Sequence, residues 1–255
     1  MKRSLVLMLF IISPLFGFEG PDYMLIGDLH VPNQKYFNLS CLPHNNSGVD
    51  AIFRNASLYG INSLNWNYAG ARVYSETGAF IASFRSYGIK NLYSSTMFSL
   101  LFQKVLFRQA SFGFGYSRKE HNYGENLYKT SFDIFSFSAG ASYKNYSLNV
   151  ALDNLAFKKR EYNNNPELVM AVNWQANKVL NIYSSFFNDS RKKSRFSIGQ
   201  DLVLHKSYIL KAGLLSGPEV YFIGFEIVYK HIVFGYTYYD IGGLPDCSRL
   251  TLSYR

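Results

Sequence analysis

Apolar and polar residues alternate along most of this chain, and the alternation is clearest in the C-terminal stretch Glu219–Arg255. From Tyr221 to Tyr229 every second residue is aromatic or branched aliphatic, and the pattern returns after a Lys-His pair, from Ile232 to Tyr238. A last Leu-Thr-Leu-Ser-Tyr run repeats it. A period of two predicts strands with one apolar and one mixed face, and the tight return predicts an antiparallel hairpin.

The same rhythm runs upstream from about Leu64, in segments of about ten residues, the length that a tilted membrane strand needs. From Phe112 to Tyr116 the rings fall on one face and the glycines on the other. This asymmetry is expected where bulky rings meet lipid and the interior stays small or polar. Polar connections alternate with tight ones, and we expect polar loops at residues 119–129, 158–166 and 188–194. The pattern predicts an all-β fold, a transmembrane antiparallel β-barrel of about 12–14 strands over residues 61–255.

Residues 18–60 are the least patterned part of the chain. Lys35 to Leu42 is compatible with a first strand, and the Pro-His-Asn-Asn-Ser-Gly sequence after it indicates a turn. Val49 to Tyr59 follows no period of two, so we expect a short helix or an irregular element there. The segment is therefore predicted to be a short N-terminal plug-like addition to the barrel.

The first 17 residues have the parts of a secretory signal peptide. Lys2 and Arg3 form a basic start, an apolar run extends from Leu5 to Ile12, and a small residue, Gly17, follows. The apolar run is too short to span a bilayer as a helix, which needs about 20 residues. We therefore expect export and cleavage near Gly17.

Composition supports a membrane barrel rather than a soluble domain. Aromatic residues make up 18% of the chain and charged residues 17%, whereas soluble domains carry about 25% charged residues. A secreted, ligand-binding β-sandwich also alternates and stays open as an alternative. Strands of about ten residues, with Ser, Gly, Asn and Thr opposite the aromatic faces, favour the barrel.

The formal net charge of +9 does not predict a nucleic-acid partner. The basic residues form no single stripe, and clusters such as Lys158–Arg160 and Arg191–Lys193 fall in expected loops. No nucleic-acid motif accompanies them. We expect these loops to meet lipopolysaccharide or other anionic outer-membrane lipids.

Several stretches resemble bacterial outer-membrane barrels of the PorV/PorQ type, which are similar in architecture to FadL-like channels for hydrophobic compounds. They are Val49–Leu58, Phe84–Gly88 followed by Leu92-Tyr93, Ala212–Leu214, Gly217-Pro218, Gly224-Phe225 and Phe234–Tyr238. Two positions depart from the family pattern: Ala56 stands in place of a proline, and Arg255 follows the terminal aromatic Tyr254. The resemblance implies an outer-membrane barrel recognised by the barrel-assembly machinery. It also implies passage of hydrophobic molecules or an association with type IX secretion components.

Few residues are candidates for a site. Cys41 and Cys247 form a disulfide if the ends of the barrel wall bring them together, and otherwise remain two thiols. Four charged residues in the expected strands are predicted to face the lumen: Asp133, Asp153, Glu226 and Arg249. Such charges either tune a pore or pair with one another across a filled interior.

Catalysis and metal binding find little support in the sequence. His205 and Ser207 resemble the His-x-Ser pair of lipid A deacylase barrels, but they lie in an expected hairpin turn with no identifiable carboxylate partner. The five histidines show no ligand spacing, and no phosphate-binding glycine loop is present. We therefore expect a non-enzymatic outer-membrane protein without a cofactor, either a channel or transporter for hydrophobic or small solutes or a secretion-associated scaffold. A lipid-modifying barrel enzyme is the alternative.

Overall fold

The protein is described by a computed structural model over residues 48–57, 64–89, 92–107, 110–124, 128–156, 167–189, 194–216, 219–241 and 247–254. The expected signal peptide, the expected strand at residues 35–42 and Cys41 lie outside these ranges. Within them, no helix has the length and apolar character needed to cross a bilayer.

Fourteen strands make up the regular structure of the described residues. They are β1 (Gly48–Ser57), β2 (Leu64–Ser75), β3 (Gly78–Ile89), β4 (Tyr93–Phe107), β5 (Ala110–Tyr123), β6 (Tyr128–Tyr143), β7 (Tyr146–Ala156), β8 (Glu167–Gln175), β9 (Leu180–Asp189), β10 (Arg195–His205), β11 (Tyr208–Leu215), β12 (Val220–Tyr229), β13 (Ile232–Ile241) and β14 (Cys247–Tyr254).

Each strand pairs antiparallel with its neighbours in the chain, and the first strand pairs with the last, so the sheet closes. At the seam Ala51 of β1 is opposite Tyr254 of β14, and Ser57 is opposite Ser248. The prediction of a transmembrane antiparallel β-barrel of 12–14 strands is confirmed, with fourteen strands. A single closed sheet excludes the two packed sheets of a β-sandwich.

The two rims of the barrel differ in their connections. At one end, six connections of two to four residues join β2 to β3, β4 to β5, β6 to β7, β8 to β9, β10 to β11 and β12 to β13. We call this end, where β1 begins and β14 ends, the short-turn rim. The other seven connections range from three residues at 90–92 to ten at 157–166 and form the long-loop rim. Short turns at one rim and longer loops at the other are typical of outer-membrane barrels.

The expected helix or plug at Val49–Tyr59 is wrong, because Gly48–Ser57 forms strand β1. Its burial alternates, with Asp50, Ile52 and Arg54 buried between exposed neighbours. The outward residues include Ala51 and Asn55, which are too small or too polar to give a period of two in hydrophobicity. The barrel therefore begins at Gly48 rather than at residue 61.

The prediction of a polar loop at residues 119–129 is also wrong, because β5 extends to Tyr123 and β6 begins at Tyr128. Polar residues here continue the strand pairing beyond the apolar part of the wall. The barrel is consequently uneven in height: β6 has 16 residues, whereas β11 and β14 have 8 each.

The outer face carries the large apolar side chains. Tyr221, Ile223 and Tyr229 of β12 are 52%, 62% and 68% exposed. Aromatic rings gather where this apolar band meets the short-turn rim, as in the stacked pair Tyr146 and Trp174, with centroids 6.1 Å apart. An apolar band bordered by aromatic rings is the surface that a bilayer requires of a barrel.

On the inner face, aromatic rings cover glycines of the neighbouring strand. Gly199 is in register with Tyr183, and Gly213 with Phe222. A Cβ atom at Gly213 would lie 2.5 Å from the Phe222 ring and 2.6 Å from the carbonyl oxygen of Ile198. Only glycine leaves room for this close packing.

We expect Gly213→Ala to lower the free energy of unfolding by about 1–3 kcal/mol, because the added methyl group overpacks the contact with Phe222 and the β10 backbone. Gly235→Ala is the matched control, since its Cβ would lie 3.3 Å or more from any neighbour. Urea unfolding of both variants in lipid vesicles measures the difference. Equal losses in the two variants would contradict the packing argument.

Candidate functional site: the lumen wall

The lumen wall is formed by every second residue of each strand, and many of these residues are small and polar. Serine hydroxyls meet across neighbouring strands, as in Ser117 and Ser99 at 2.8 Å, and Gln103 donates to Ser111 at 3.2 Å. These residues are almost completely buried. Their side chains satisfy each other, which allows a polar inner face to be packed.

An apolar layer lines the wall towards the long-loop rim. Its buried members form one cluster: Ile52, Ala56, Leu64, Trp66, Tyr68, Phe187, Leu215, Val220, Tyr239 and Cys247. Leu64 and Val220 begin their strands at that rim, and Leu215 ends its strand there. The cluster thus occupies the lumen side of β1, β2, β9 and β11–β14 near the mouth. We call it the apolar layer.

On β2, β11, β12 and β14 a charged residue follows further from the long-loop rim, whereas on β1 the order is mixed, because Arg54 lies between Ile52 and Ala56. Lys211 of β11 lies further from the long-loop rim than Leu215, and Glu226 of β12 lies further from it than Val220. On β14, Arg249 lies two residues further from this rim than Cys247. The Lys211 ammonium is 2.9 Å from the Glu226 carboxylate, and both side chains are about 95% buried. The members of the charged layer are Asp50, Arg54, Arg72, Asp201, Lys211, Glu226 and Arg249.

Asp50 and Arg72 form another buried ion pair of the described wall, which joins β1 to β2. Arg72 donates through Nε at 3.0 Å and through Nη2 at 2.5 Å to the same oxygen of Asp50. The two side chains are 2% and 3% exposed. At this burial, loss of one partner leaves an uncompensated charge in the wall.

Two arginines of the charged layer pack against rings of the apolar layer. The Arg54 guanidinium lies 5.7 Å from the centre of the Tyr68 ring, and that of Arg249 lies 5.6 Å from Tyr239. Arg249 also donates to the Thr237 hydroxyl at 3.3 Å. Cations placed over ring faces connect the two layers physically.

The tall side of the barrel adds an aromatic group to the inner wall. The Tyr93 hydroxyl and His121 Nδ1 are 2.7 Å apart, and their rings stack with centroids 5.8 Å apart. Tyr123 contacts both rings, Phe132 contacts that of His121, and Lys119 lies 5.8 Å from the Phe132 ring. Rings and cations are therefore combined on this side as well.

The charge of the described lumen wall is unbalanced. Among the inward side chains that the structure describes, acidic groups are fewer than basic ones: three (Asp50, Asp201, Glu226) against seven (Arg54, Arg72, Arg85, Lys119, Arg195, Lys211, Arg249). Three more acidic residues of the strands, Asp153, Glu167 and Asp189, have side chains that lie outside the described part. An excess of positive charge in a pore lining attracts anions and repels cations.

The residues expected to face the lumen divide into three groups. Glu226 and Arg249 point inward and are 4% and 5% exposed. Asp133 lies on the outer face instead, where it is 51% exposed, accepts a hydrogen bond from Tyr116 at 2.7 Å and lies 3.9 Å from Arg118. It shares its face with Phe135 and Phe137 because the residues are two apart. Asp153 belongs to β7, but its side chain is outside the described part of the structure.

The cysteine pair and the His-Ser pair can be placed only in part. Cys247 is buried at the start of β14, beside Tyr239, while Cys41 is outside the described residues, so their disulfide stays a prediction. The Ser207 backbone N–H donates to His205 Nδ1 at 3.3 Å in the exposed β10–β11 turn. Across the described ranges, no three His, Cys, Asp or Glu side chains are grouped to hold a metal ion.

Sequence reasoning missed most of the charged layer, including Asp50, Arg72 and Lys211. Lys211 and Asp201 alternate with apolar residues of their strands, and this parity could have placed both in the lumen. Asp50 and Arg72 are 22 residues apart and meet only through the register of β1 with β2. That register carries no clear signal in the sequence.

We expect Asp50→Ala to destabilise the barrel by about 3–5 kcal/mol, because it leaves the Arg72 guanidinium buried without its carboxylate. Asp133→Ala removes an exposed carboxylate and should cost less than about 1 kcal/mol. Urea unfolding in vesicles compares the two variants. A similar small cost for both would show that the Asp50–Arg72 pair contributes no more than a surface pair.

The fold is similar to outer-membrane proteins of known structure. The Ralstonia pickettii toluene transporter TbuX aligns with a TM-score of 0.60 at 8% identity, over 82% of this chain and 88% of that one. The Acinetobacter baumannii outer membrane protein Omp33 aligns with a TM-score of 0.56 at 11% identity, over 83% of this chain and 100% of that one. No protein-family model and no curated protein sequence matches the chain. At these identities the likeness establishes the fold, which is that of outer-membrane barrels.

Proposed function

We propose that this protein is an outer-membrane channel or transporter that passes small amphipathic solutes and has no catalytic role. The barrel fold, the apolar outer band and the aromatic rings near the short-turn rim support a place in the membrane. The likeness in fold to TbuX and Omp33 agrees with an outer-membrane location.

The layering of the lumen wall is the observation that carries the proposal. The apolar layer, where Trp66 and Tyr68 stack with centroids 6.1 Å apart, is buried, so a solute arriving from the long-loop rim contacts it only after displacing the groups that cover these rings. The solute then meets the charged layer, where Lys211 and Glu226 form their ion pair. A wall with rings followed by charges suits a molecule with an apolar part and a polar part.

The sign of the charge narrows the solute class. Because basic side chains outnumber acidic ones in the described lumen wall, a small anion gains more from this lining than a cation of the same size. The solute that fits best is thus a small amphipathic anion. A charged polar part goes beyond the hydrophobic molecules that the family resemblance implies.

Type IX secretion components and the barrel-assembly machinery stay as expectations from the resemblance to PorV/PorQ-type barrels. Co-purification from the native membrane tests the secretion role directly. A stable complex with secretion components, combined with the absence of solute flux, would favour a scaffold over a channel.

The channel is tested by reconstituting the refolded protein in planar bilayers and in vesicles. We expect ion conductance with a preference for anions, measured as the reversal potential in a salt gradient, and uptake of small amphipathic anions. Heat-modifiable migration on gels confirms beforehand that the barrel is folded. A folded barrel that conducts no ions and admits no solute would refute the proposal.

Substitution in the charged layer tests whether the lumen wall sets the selectivity. Arg54→Gln removes one buried positive charge and should lower the anion-to-cation permeability ratio. Lys129→Gln is the control, because Lys129 is exposed near the long-loop rim, 2.9 Å from Glu120 on the outer face. An equal change in both variants would mean that surface charge, not the lumen, determines the preference.

A further inference from the structure

Five lysines that are distant in sequence lie at or beside the short-turn rim. All five are exposed: Lys104 near the end of β4, Lys144 between β6 and β7, Lys178 between β8 and β9, Lys206 between β10 and β11, and Lys230 between β12 and β13. Strand order spaces them around much of the circumference. We call them the lysine ring.

The lysine ring has little acidic charge beside it. In the described turns of the short-turn rim, Glu76 between β2 and β3 is the acidic residue. These turns hold four of the five lysines against one carboxylate, which leaves this rim strongly positive. A positive rim on a membrane protein attracts anionic headgroups at the bilayer surface.

Tyrosines fix the depth of two of these lysines. The Lys144 ammonium is 5.2 Å from the centre of the Tyr143 ring, and the Lys230 ammonium is 5.5 Å from that of Tyr229. The two rings are 61% and 68% exposed at the edge of the apolar band. Tyrosine prefers the membrane interface, so the adjoining ammonium groups lie at the level of lipid phosphates.

The backbone conformation of two turns is unfavourable for lysine, which indicates that the positive charge at these positions has a role. Lys144 and Lys230 have φ angles of 51° and 52°, in the left-handed region. Two-residue hairpin turns favour Gly, Asn or Asp at such positions, because other side chains crowd the backbone. Lysine in this conformation costs stability that asparagine would recover, so a requirement for positive charge explains its presence.

We propose that the lysine ring binds the phosphates of anionic phospholipids in the leaflet that meets the short-turn rim. The sites are separated by whole hairpins around the barrel. Several separate small headgroups match this spacing, whereas one compact acidic protein would reach only part of the ring. The ring is an interaction surface independent of what passes through the lumen.

The test uses the full-length protein in phosphatidylcholine vesicles with and without phosphatidylglycerol. We expect the temperature at which the folded gel band is lost to rise with phosphatidylglycerol and to fall back in high salt. In Lys144→Gln/Lys206→Gln/Lys230→Gln most of this rise should disappear. Phosphatidylglycerol binding, counted by native mass spectrometry, should weaken by at least about tenfold.

Two further variants separate lipid binding from folding. Lys144→Asn/Lys230→Asn should be at least as stable as the parent in pure phosphatidylcholine, since asparagine tolerates the left-handed turn, yet respond less to phosphatidylglycerol. Arg118→Gln/Lys129→Gln, at the opposite end of the barrel, should keep the full response. No response in the parent, or an unchanged response in the lysine variants, would overturn the proposal. Stabilisation by an acidic soluble protein in place of the lipid would overturn it too.

Discussion

Closure of the sheet between β1 and β14 is the constraint on which the rest of the barrel depends. In hydrocarbon each unpaired backbone N–H or C=O costs several kcal/mol, so an open edge cannot face lipid. The seam pairs seven residues of β1, from Ala51 to Ser57, with β14. The outward face of β1 carries Val49 and Phe53 beside the smaller or polar Ala51, Asn55 and Ser57, so this strand is recognised by its backbone pairing more readily than by its hydrophobic pattern.

The closed wall separates two environments, and the side chains divide accordingly. Apolar side chains on the outside need no partners, because lipid solvates them. Charged side chains on the inside are buried and must be paired, as Asp50 is with Arg72 and Glu226 with Lys211. The inner face therefore holds most of the specific interactions of the molecule, and the outer face provides the apolar surface that contacts lipid.

Much of this architecture could be predicted from the sequence because alternation is strong on β10–β14, where outward Leu, Ile and Tyr contrast with inward Gly, Ser and Thr. Alternation fails for β1, and it stops being informative where β5 and β6 rise above the apolar band and both faces become polar. Asp133 illustrates the second case: its parity with Phe135 placed it outside, but its charge suggested the lumen. Charge alone was the weaker guide.

The partners of the lumen charges were beyond sequence reasoning. Alternation along a strand can place Lys211 and Glu226 on the inner face, but their contact depends on the register between β11 and β12. The contact of Asp50 with Arg72 depends in the same way on the register between β1 and β2. The apolar layer is similarly hidden, because its members come from strands far apart in the chain and gather only when the barrel closes.

Because the strands differ in length, the barrel wall is higher on one side than on the other. At a rise of about 3.3 Å per residue and a tilt of about 40°, the 16 residues of β6 reach about 40 Å along the axis and the 8 of β11 about 20 Å. The strand wall is thus high along β4–β6 and low along β11–β14, so its upper edge is oblique to the membrane plane. A molecule that diffuses along the membrane surface is blocked by a high strand wall on the β4–β6 side. On the β11–β14 side it reaches the top of a low wall. Its direction of approach then matters as well as its size.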